Sequence, residues 1–333
     1  MDNWILGIII LVIKLGVILV GLLLGAGGLV LLERKLLARL QIRLGPNRAG
    51  RFGMLQPLAD IVKLLLKEDI VPQGADRFIF LFAPSVVAVT ALLVFSVVPF
   101  GKSWTLWGHK IPLLITDLNI GLLFVIALTS ISVYGVVLGG WASNSKYALI
   151  GGVRSAAQMI SYELSLGISL VPVAMLAGSF SLVDIVNAQA RYPFLLVQPL
   201  AFIIFFISAI AETKRIPFDL PEAEQELVAG YHTEYSGMRF GLYFLGEYIT
   251  LITLGSLIAV FFLGGWRGPL LPPIVWFFLK VFAVIFVMIW IRGTLPRLRY
   301  DQLMHFGWKL MIPLALLNVI VTGGVKLLVD YYK

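Results

Sequence analysis

The stretch Trp4-Ile-Leu-Gly-Ile-Ile-Ile-Leu-Val-Ile-Lys14-Leu-Gly-Val-Ile-Leu-Val-Gly-Leu-Leu-Leu-Gly-Ala-Gly-Gly-Leu-Val-Leu-Leu32 carries a single charged side chain, Lys14, in a run that is otherwise apolar. A helix needs about 20 such residues to cross the hydrocarbon core of a bilayer. This run is long enough to cross and then to tilt or project beyond it. Further runs of the same kind follow at Phe78–Val98, Ile120–Leu138, Ala156–Ala177, Leu196–Ala211, Leu242–Leu263, Ile274–Ile291 and Leu310–Val329. The fifth span, Leu196–Ala211, is short and polar at its end. Composition agrees: 59% of the 333 residues are hydrophobic and 13% charged, with a mean hydropathy of +0.95. Soluble domains are about 45–50% apolar and about 25% charged. The expected fold is an all-α integral membrane protein, a single polytopic domain over 1–333 with about eight transmembrane helices.

Several function classes drop out on composition. The chain has no cysteine, which excludes disulfides, Cys-ligated iron–sulfur clusters and thiolate chemistry on it. No two of the histidines His109, His232 and His305 lie three or four residues apart, so no haem or zinc site is indicated. No internal repeat is evident, which counts against an inverted-repeat transporter. The first run extends well past a signal-peptide core, with no small-residue cleavage site after it, so no cleavable signal is expected. The net charge of +8 suggests nucleic acid or membrane topology. In a chain this apolar, topology is the better reading.

Lys and Arg set the orientation. The loop after the first span holds Arg34, Lys35, Arg39, Arg43, Arg48, Arg51, Lys63, Lys67 and Arg77. The loop after the third holds Lys146 and Arg154, that after the fifth Lys214, Arg215 and Arg239, and that after the seventh Arg292, Arg297, Arg299 and Lys309. The opposite side has Lys102, Lys110, Arg191, Arg267, Lys326 and Lys333. The balance of 18 against 6 puts these alternate loops in the cytoplasm and both termini outside.

Two of these loops are patterned. In the first, 33–77, Leu58, Ile61, Val62, Leu65 and Leu66 form one apolar stripe behind Pro57, with Asp60, Lys63 and Lys67 on another face. That spacing predicts an amphipathic helix lying on the cytoplasmic membrane surface, at its plainest an anchor. The second, 212–241, is acidic where the topology rule favours bases. Asp219 is placed to cap a short helix with Glu222 as its reciprocal partner, Pro221 in the first turn and Gly230 at the end. Glu222, Glu224 and Glu226 fall inside that helix and Glu234 beyond it. The plain reading is a solvated face.

Ionisable groups within spans are costly and mark ion paths or pairings. Glu163 in the fourth span, Glu212 at the end of the fifth and Glu247 in the sixth all lie in the cytoplasmic half. They are candidates for one polar pocket that takes up and releases protons. Duller roles exist: Glu163 as a neutral hydrogen-bonding acid, Glu247 paired with Arg239. Lys14 and Lys280 lie deep in the first and seventh spans, where a partner carboxylate or a contact with another protein chain is expected. Tyr134, Tyr147, Tyr162, Tyr231 and Tyr235 are read as interfacial or packing residues.

Four blocks carry a resemblance. Glu33-Arg34-Lys35-Leu-Leu-Ala-Arg39, with Arg43-Leu-Gly-Pro-Asn47 and Gly53-Met-Leu-Gln-Pro-Leu-Ala-Asp60, is similar to the first cytoplasmic loop of one family of respiratory complex I, the NADH-quinone oxidoreductase. That family comprises the membrane anchors of its quinone site. Gly140 to Arg154, running on to Ile160-Ser-Tyr-Glu163, resembles the family's next loop and helix. Glu212 to Tyr235 resembles its acidic loop, and Arg297-Leu-Arg-Tyr-Asp-Gln302 its last cytoplasmic loop. The blocks are in order and span nearly the whole chain.

The resemblance implies the membrane anchor of a proton-pumping enzyme in a bacterial or archaeal cytoplasmic membrane. With hydrophilic iron–sulfur and quinone-site subunits it would enclose a chamber for ubiquinone or menaquinone. Small membrane subunits would lie laterally, and FMN, NAD and iron–sulfur clusters would belong to other subunits. By the same resemblance Arg34, Asp60, Arg154, Arg215 and Phe218 border the chamber. Glu222, Glu224 and Glu226 lie below the headgroup path, and Glu163, Glu212 and Glu247 mark the proton route. No catalytic residue and no metal site is assigned to this chain, and no nucleic acid partner is expected. Some members carry a glutamate just before Val-Tyr-Gly in the third span, where this chain has Ser130. The alternatives are the equivalent subunit of an F420H2 dehydrogenase or membrane-bound hydrogenase and, further off, a stand-alone transporter.

Overall fold

A computed structural model describes residues 2–101, 103–106, 109–221 and 224–332. The expected helices are present, and most extend further into the basic loops than the apolar runs alone indicate. Helix α1 is Asp2–Leu40, α3 Arg77–Val94, α4 Gly121–Ala142, α5 Lys146–Ala177, α10 Gly237–Phe262 and α11 Pro273–Thr294. The last span is α12, Tyr300–Phe306, running through a π-helical segment at Gly307–Met311 into α13, Ile312–Tyr331. Among the described residues seven helices are long and apolar enough to cross a membrane. The fifth expected span is shorter than these. It is α8, Pro199–Glu212, with 14 residues.

A 14-residue helix survives at membrane depth because protein, not lipid, surrounds it. Ala201, Ile204, Phe205, Ser208 and Ala209 are all buried, and α8 packs on α5, α10 and α13. Irregular backbone is tolerated there only when other protein satisfies it. Two short helices precede α8 on the opposite end of the bundle: α6, Leu182–Ala188, and α7, Phe194–Val197. A small antiparallel hairpin, Ser103–Leu106 with His109–Pro112, lies at that same end. It is an addition to the expected all-helical fold.

The basic loops fold as two distinct devices. Helix α2, Gln56–Leu66, starts with Pro57 in its first turn. Its stripe of Leu58, Ile61, Val62, Leu65 and Leu66 is exposed, as an interfacial helix requires. The turn before it is tight: Gly53 has φ +73°, and a Cβ there would strike the Pro46 carbonyl. Among its described residues the acidic loop contains a one-turn α-helix, α9, Glu224–Leu227. Asp219 does not cap it. That carboxylate is drawn instead to Arg297, at 2.9 Å. Gly230 opens a 3-10 turn, Gly230–His232, and does not end a helix.

Helix α1 is the outlier. Its inner half buries Leu22, Ala26, Leu29 and Ala38 against α10 and α11, while Ile8, Val12, Val17 and Val20 of its outer half stand exposed. At 1.5 Å per residue its 39 residues cover about 58 Å. The long helix therefore carries its last turns, Glu33 to Arg39, to the basic-loop end of the bundle, with Glu33 still buried between α10 and α11.

Candidate functional site

The site is built around Glu33, which is 2% exposed. One carboxylate oxygen accepts a hydrogen bond from Nη1 of Arg292, at the end of α11. The other accepts from Nη1 of Arg215 and, at 2.8 Å, from the hydroxyl of Tyr248 on α10. Arg215 also lies over the Tyr248 ring, 4.4 Å from its centroid. Burial opposes the charge on Arg215. The adjacent Glu33 carboxylate outweighs this and holds the guanidinium above the ordinary arginine pKa. One carboxylate thus joins α1, α10, α11 and the segment after α8.

That segment, 213–221, is fixed along its length like a strap. Gln158, fully buried on α5, donates through Nε2 to the carbonyls of Ala211 (2.9 Å) and Phe218 (2.8 Å). The Phe218 ring lies 5.4 Å from that of Tyr162, whose hydroxyl donates to the Leu303 carbonyl at 3.0 Å. The amide of Leu298 donates to the Pro217 carbonyl at 3.1 Å. Burial raises the pKa of Asp219, and its hydrogen bond and ion pair with Arg297 reverse only part of this. Without Gln158 the Phe218 carbonyl would be buried with no donor, at a cost of about 1–3 kcal/mol.

The three acids of the spans fall into the same neighbourhood. Glu163 on α5 accepts a hydrogen bond from Ser130 of α4 and a longer one, 3.5 Å, from Thr129. The serine found where some members of the resembling family have glutamate is therefore a direct partner of Glu163. Glu212 is 5% exposed at the end of α8, with one oxygen lacking a hydrogen-bond partner. Glu163 and Lys214 both lie within electrostatic reach of it. Lys214 sits 4.7 Å from the ring centroid of Tyr231. The Tyr231 hydroxyl donates to Glu247 at 3.0 Å, and the field of Glu247 reaches Arg215. Ser130 with Glu163, Tyr231 with Glu247, and Arg215 and Arg292 with Glu33 thus form three hydrogen-bonded groups, with Glu212 within electrostatic reach of Glu163 and Lys214 against the Tyr231 ring.

Backbone contact holds Tyr231 in place. A Cβ on Gly151 of α5 would lie 2.6 Å from the Tyr231 amide nitrogen, so the acidic loop lies directly on a bare stretch of helix. Of the two readings open for Tyr231, interfacial or packing, the buried side chain takes the second, and it is also a partner of Glu247. One sequence reading is corrected here. Arg239 does not pair with Glu247, because it is taken by Asp69 at 3.0 Å.

The remaining expected residues lie nearer the surface. Arg34 and Asp60 pair at 2.7 Å, tying the end of α1 to α2, with Gln56 donating to the same carboxylate at 3.1 Å. Arg154 and Glu226 pair at 2.7 Å, with 30% and 55% of their side chains exposed. Arg215 and Phe218 are buried behind them. Glu222 lies outside the described residues, as does the side chain of Glu224. Among the described residues Lys280 pairs with no carboxylate. Its ammonium donates to the carbonyls of Leu263, Gly265 and Arg267. Sequence reasoning does not single out Glu33, Arg292, Tyr248 or Gln158. Of these Glu33 alone carries a signal, as the first acid after a long apolar run.

Comparison with known proteins adds a family. A family model described as NADH dehydrogenase matches residues 13–323. The chain is 69% identical over 324 residues to one of the H subunits of NADH-quinone oxidoreductase, copy 2, of Syntrophobacter fumaroxidans, covering 97% of this chain and 98% of that one. It is 61% identical to the corresponding H subunit of Syntrophotalea carbinolica over 97% of this chain and 98% of the relative. Copy 2 of the same protein in Geobacter sulfurreducens is 64% identical over 91% of this chain and 92% of its own length.

Proposed function

The chain belongs to the family of H subunits of NADH-quinone oxidoreductases, multi-pass membrane components of an enzyme complex, and on that footing we propose that it forms the membrane wall of a quinone chamber and couples quinone reduction to proton translocation. The basic end of the bundle faces the cytoplasm, where hydrophilic iron–sulfur and quinone-site subunits cover it, and both termini lie outside. Ubiquinone or menaquinone enters along α1 and the exposed apolar face of α2. Arg34, Asp60 and Arg154 form the rim of the chamber, with Arg215 and Phe218 behind it.

Chemistry at that rim follows from charge. Quinone reduction takes two electrons and two protons, and electrons arriving ahead of protons leave an anion. The guanidinium groups stabilise that anion through short-range electrostatics in a poorly hydrated place. Proton uptake then draws on the carboxylates. Glu226, with Glu222 and Glu224, answers first, and the change passes through Glu247, Glu212 and Glu163. Ser130 takes the place of a second carboxylate beside Glu163, as a hydroxyl that accepts one proton while giving up another.

The observation that carries this reading is the gathering of buried and half-buried charged groups at one end of the bundle: Glu33 with Arg215 and Arg292, Glu247 with Tyr231, Glu163 with Ser130, and Glu212 within electrostatic reach of Glu163. Its test is Glu163→Gln and Glu212→Gln in the assembled complex in membrane vesicles. Quinone reduction by NADH and proton pumping should both fall, while electron transfer from NADH to a soluble artificial acceptor is retained. Pumping at the wild-type rate in both variants refutes the reading.

A further inference from the structure

The end of the bundle opposite the acidic loop holds a cleft of about 1150 Å³ between the segments at 189–193 and 263–275. The six cations that the sequence leaves at this end include two arginines, Arg191 and Arg267, and both line the cleft. Arg191 is exposed, with its guanidinium 5.4 Å from the Tyr192 ring centroid. Arg267 donates to Asn187 at 3.2 Å, and its Nε is buried with no hydrogen-bond partner. Among the described residues neither has a carboxylate in ion-pair contact. Two unneutralised guanidiniums facing one space attract an anion.

The cleft is preformed. Buried Gln189 ties its walls together, accepting from the amides of Gly264 (2.9 Å) and Phe194 (3.2 Å) and donating to the Val260 carbonyl at 2.8 Å. Lys280 holds three carbonyls of the second wall from beneath, at 2.6, 3.0 and 2.6 Å. The cleft also opens onto grease. Val275 is one of its lining residues, and Phe278, Leu279, Phe282 and Phe286 continue the same exposed face down α11 into the bundle's side. A bare anion has no use for that strip, whereas a lipid with a phosphodiester head and acyl tails matches both parts. We propose that this cleft binds one anionic phospholipid of the outer leaflet, its phosphate between Arg191 and Arg267 and an acyl chain along Val275, Phe278 and Phe282.

The test uses the whole complex purified in mild detergent, with bound lipid counted by mass spectrometry. Arg191→Ala and Arg267→Ala should each weaken retention of phosphatidylglycerol about fivefold, and the double variant about 25-fold. Lys326→Ala, which removes a cation of the same end outside the cleft, should leave it unchanged. Wild-type complex stripped of lipid should regain thermal stability with phosphatidylglycerol vesicles and not with phosphatidylcholine vesicles. Inorganic phosphate restoring it equally well overturns the lipid assignment. So does an unchanged lipid count in the double variant, or a map of the assembled complex with a neighbouring protein filling the cleft.

Discussion

Replacing Glu33 by Gln removes the carboxylate that, among the described residues, pairs with both Arg215 and Arg292. The two arginines do not lose equally. Arg215 has 9% of its side chain exposed and keeps no other ion-pair partner among the described residues, while Arg292 is 30% exposed and can turn to solvent. Breaking a buried pair by removing one partner costs about 3–5 kcal/mol, and a solvent-screened one about 0–1 kcal/mol. Nearly all of the cost therefore falls on the strap that carries Arg215. At about 1.4 kcal/mol per factor of ten, the open fraction of the strap should rise by roughly two to three and a half powers of ten. Trypsin reads this directly. Lys214 is 5% exposed and Arg51 is already exposed, so cleavage after Lys214 should accelerate in Glu33→Gln while cleavage after Arg51 stays constant. Rapid local opening makes the cleavage rate track the open population. The double variant Glu33→Gln with Arg215→Gln leaves no orphaned charge and should be cleaved more slowly than Glu33→Gln alone. Unchanged cleavage after Lys214 in Glu33→Gln, or a double variant worse than the sum of the singles, refutes the pairing as the strap's anchor.

Other outcomes follow from the same contacts. Gln158→Leu leaves the Phe218 carbonyl without a donor, while that of Ala211 keeps the Lys214 amide at 3.2 Å, and should destabilise the strap by about 1–3 kcal/mol, read by the same trypsin assay. Tyr231→Phe removes the donor to Glu247 and should slow proton pumping more than it slows quinone binding, seen as a fall in kcat with little change in KM. Ser130→Ala should cut the pumping rate by about tenfold through loss of a hydrogen bond to a carboxyl group, while Ser130→Glu should restore it. Equal pumping in Ser130→Ala and wild type removes Ser130 from the route.

The helices are legible because apolar length is a one-dimensional signal. Even the short α8 shows in the weakness of the run ending at Ala211. The α2 stripe is legible for the same reason, since periodicity alone puts Leu58, Ile61 and Leu65 on one face. What sequence does not supply is pairing across long separations. Glu33 and Arg292 stand 259 positions apart, and nothing local to either announces the other. Asp219 has near neighbours that suit a cap, yet a charged partner from the last basic loop attracts it more strongly than a helix end. Tyr231 is of a type common at interfaces, and only the bare Gly151 surface of α5 shows why it is buried. Lys280 calls for an acid, and three carbonyls just past the end of α10 serve it instead.

The brevity of α8 has an electrical consequence. Fourteen residues at 1.5 Å each give about 21 Å of helix, against about 30 Å of hydrocarbon elsewhere in the bilayer. At the end of α8 the remaining depth is made up by the buried polar groups Glu212, Lys214 and Arg215. In the proposed orientation a hydrogen ion leaving Glu212 for the far side passes a shorter apolar helix than elsewhere in the bundle, and one charge crossing the whole membrane is worth about 2.3 kcal/mol per 100 mV. Two added turns would restore about 30 Å of helix beneath the acid and lengthen that passage.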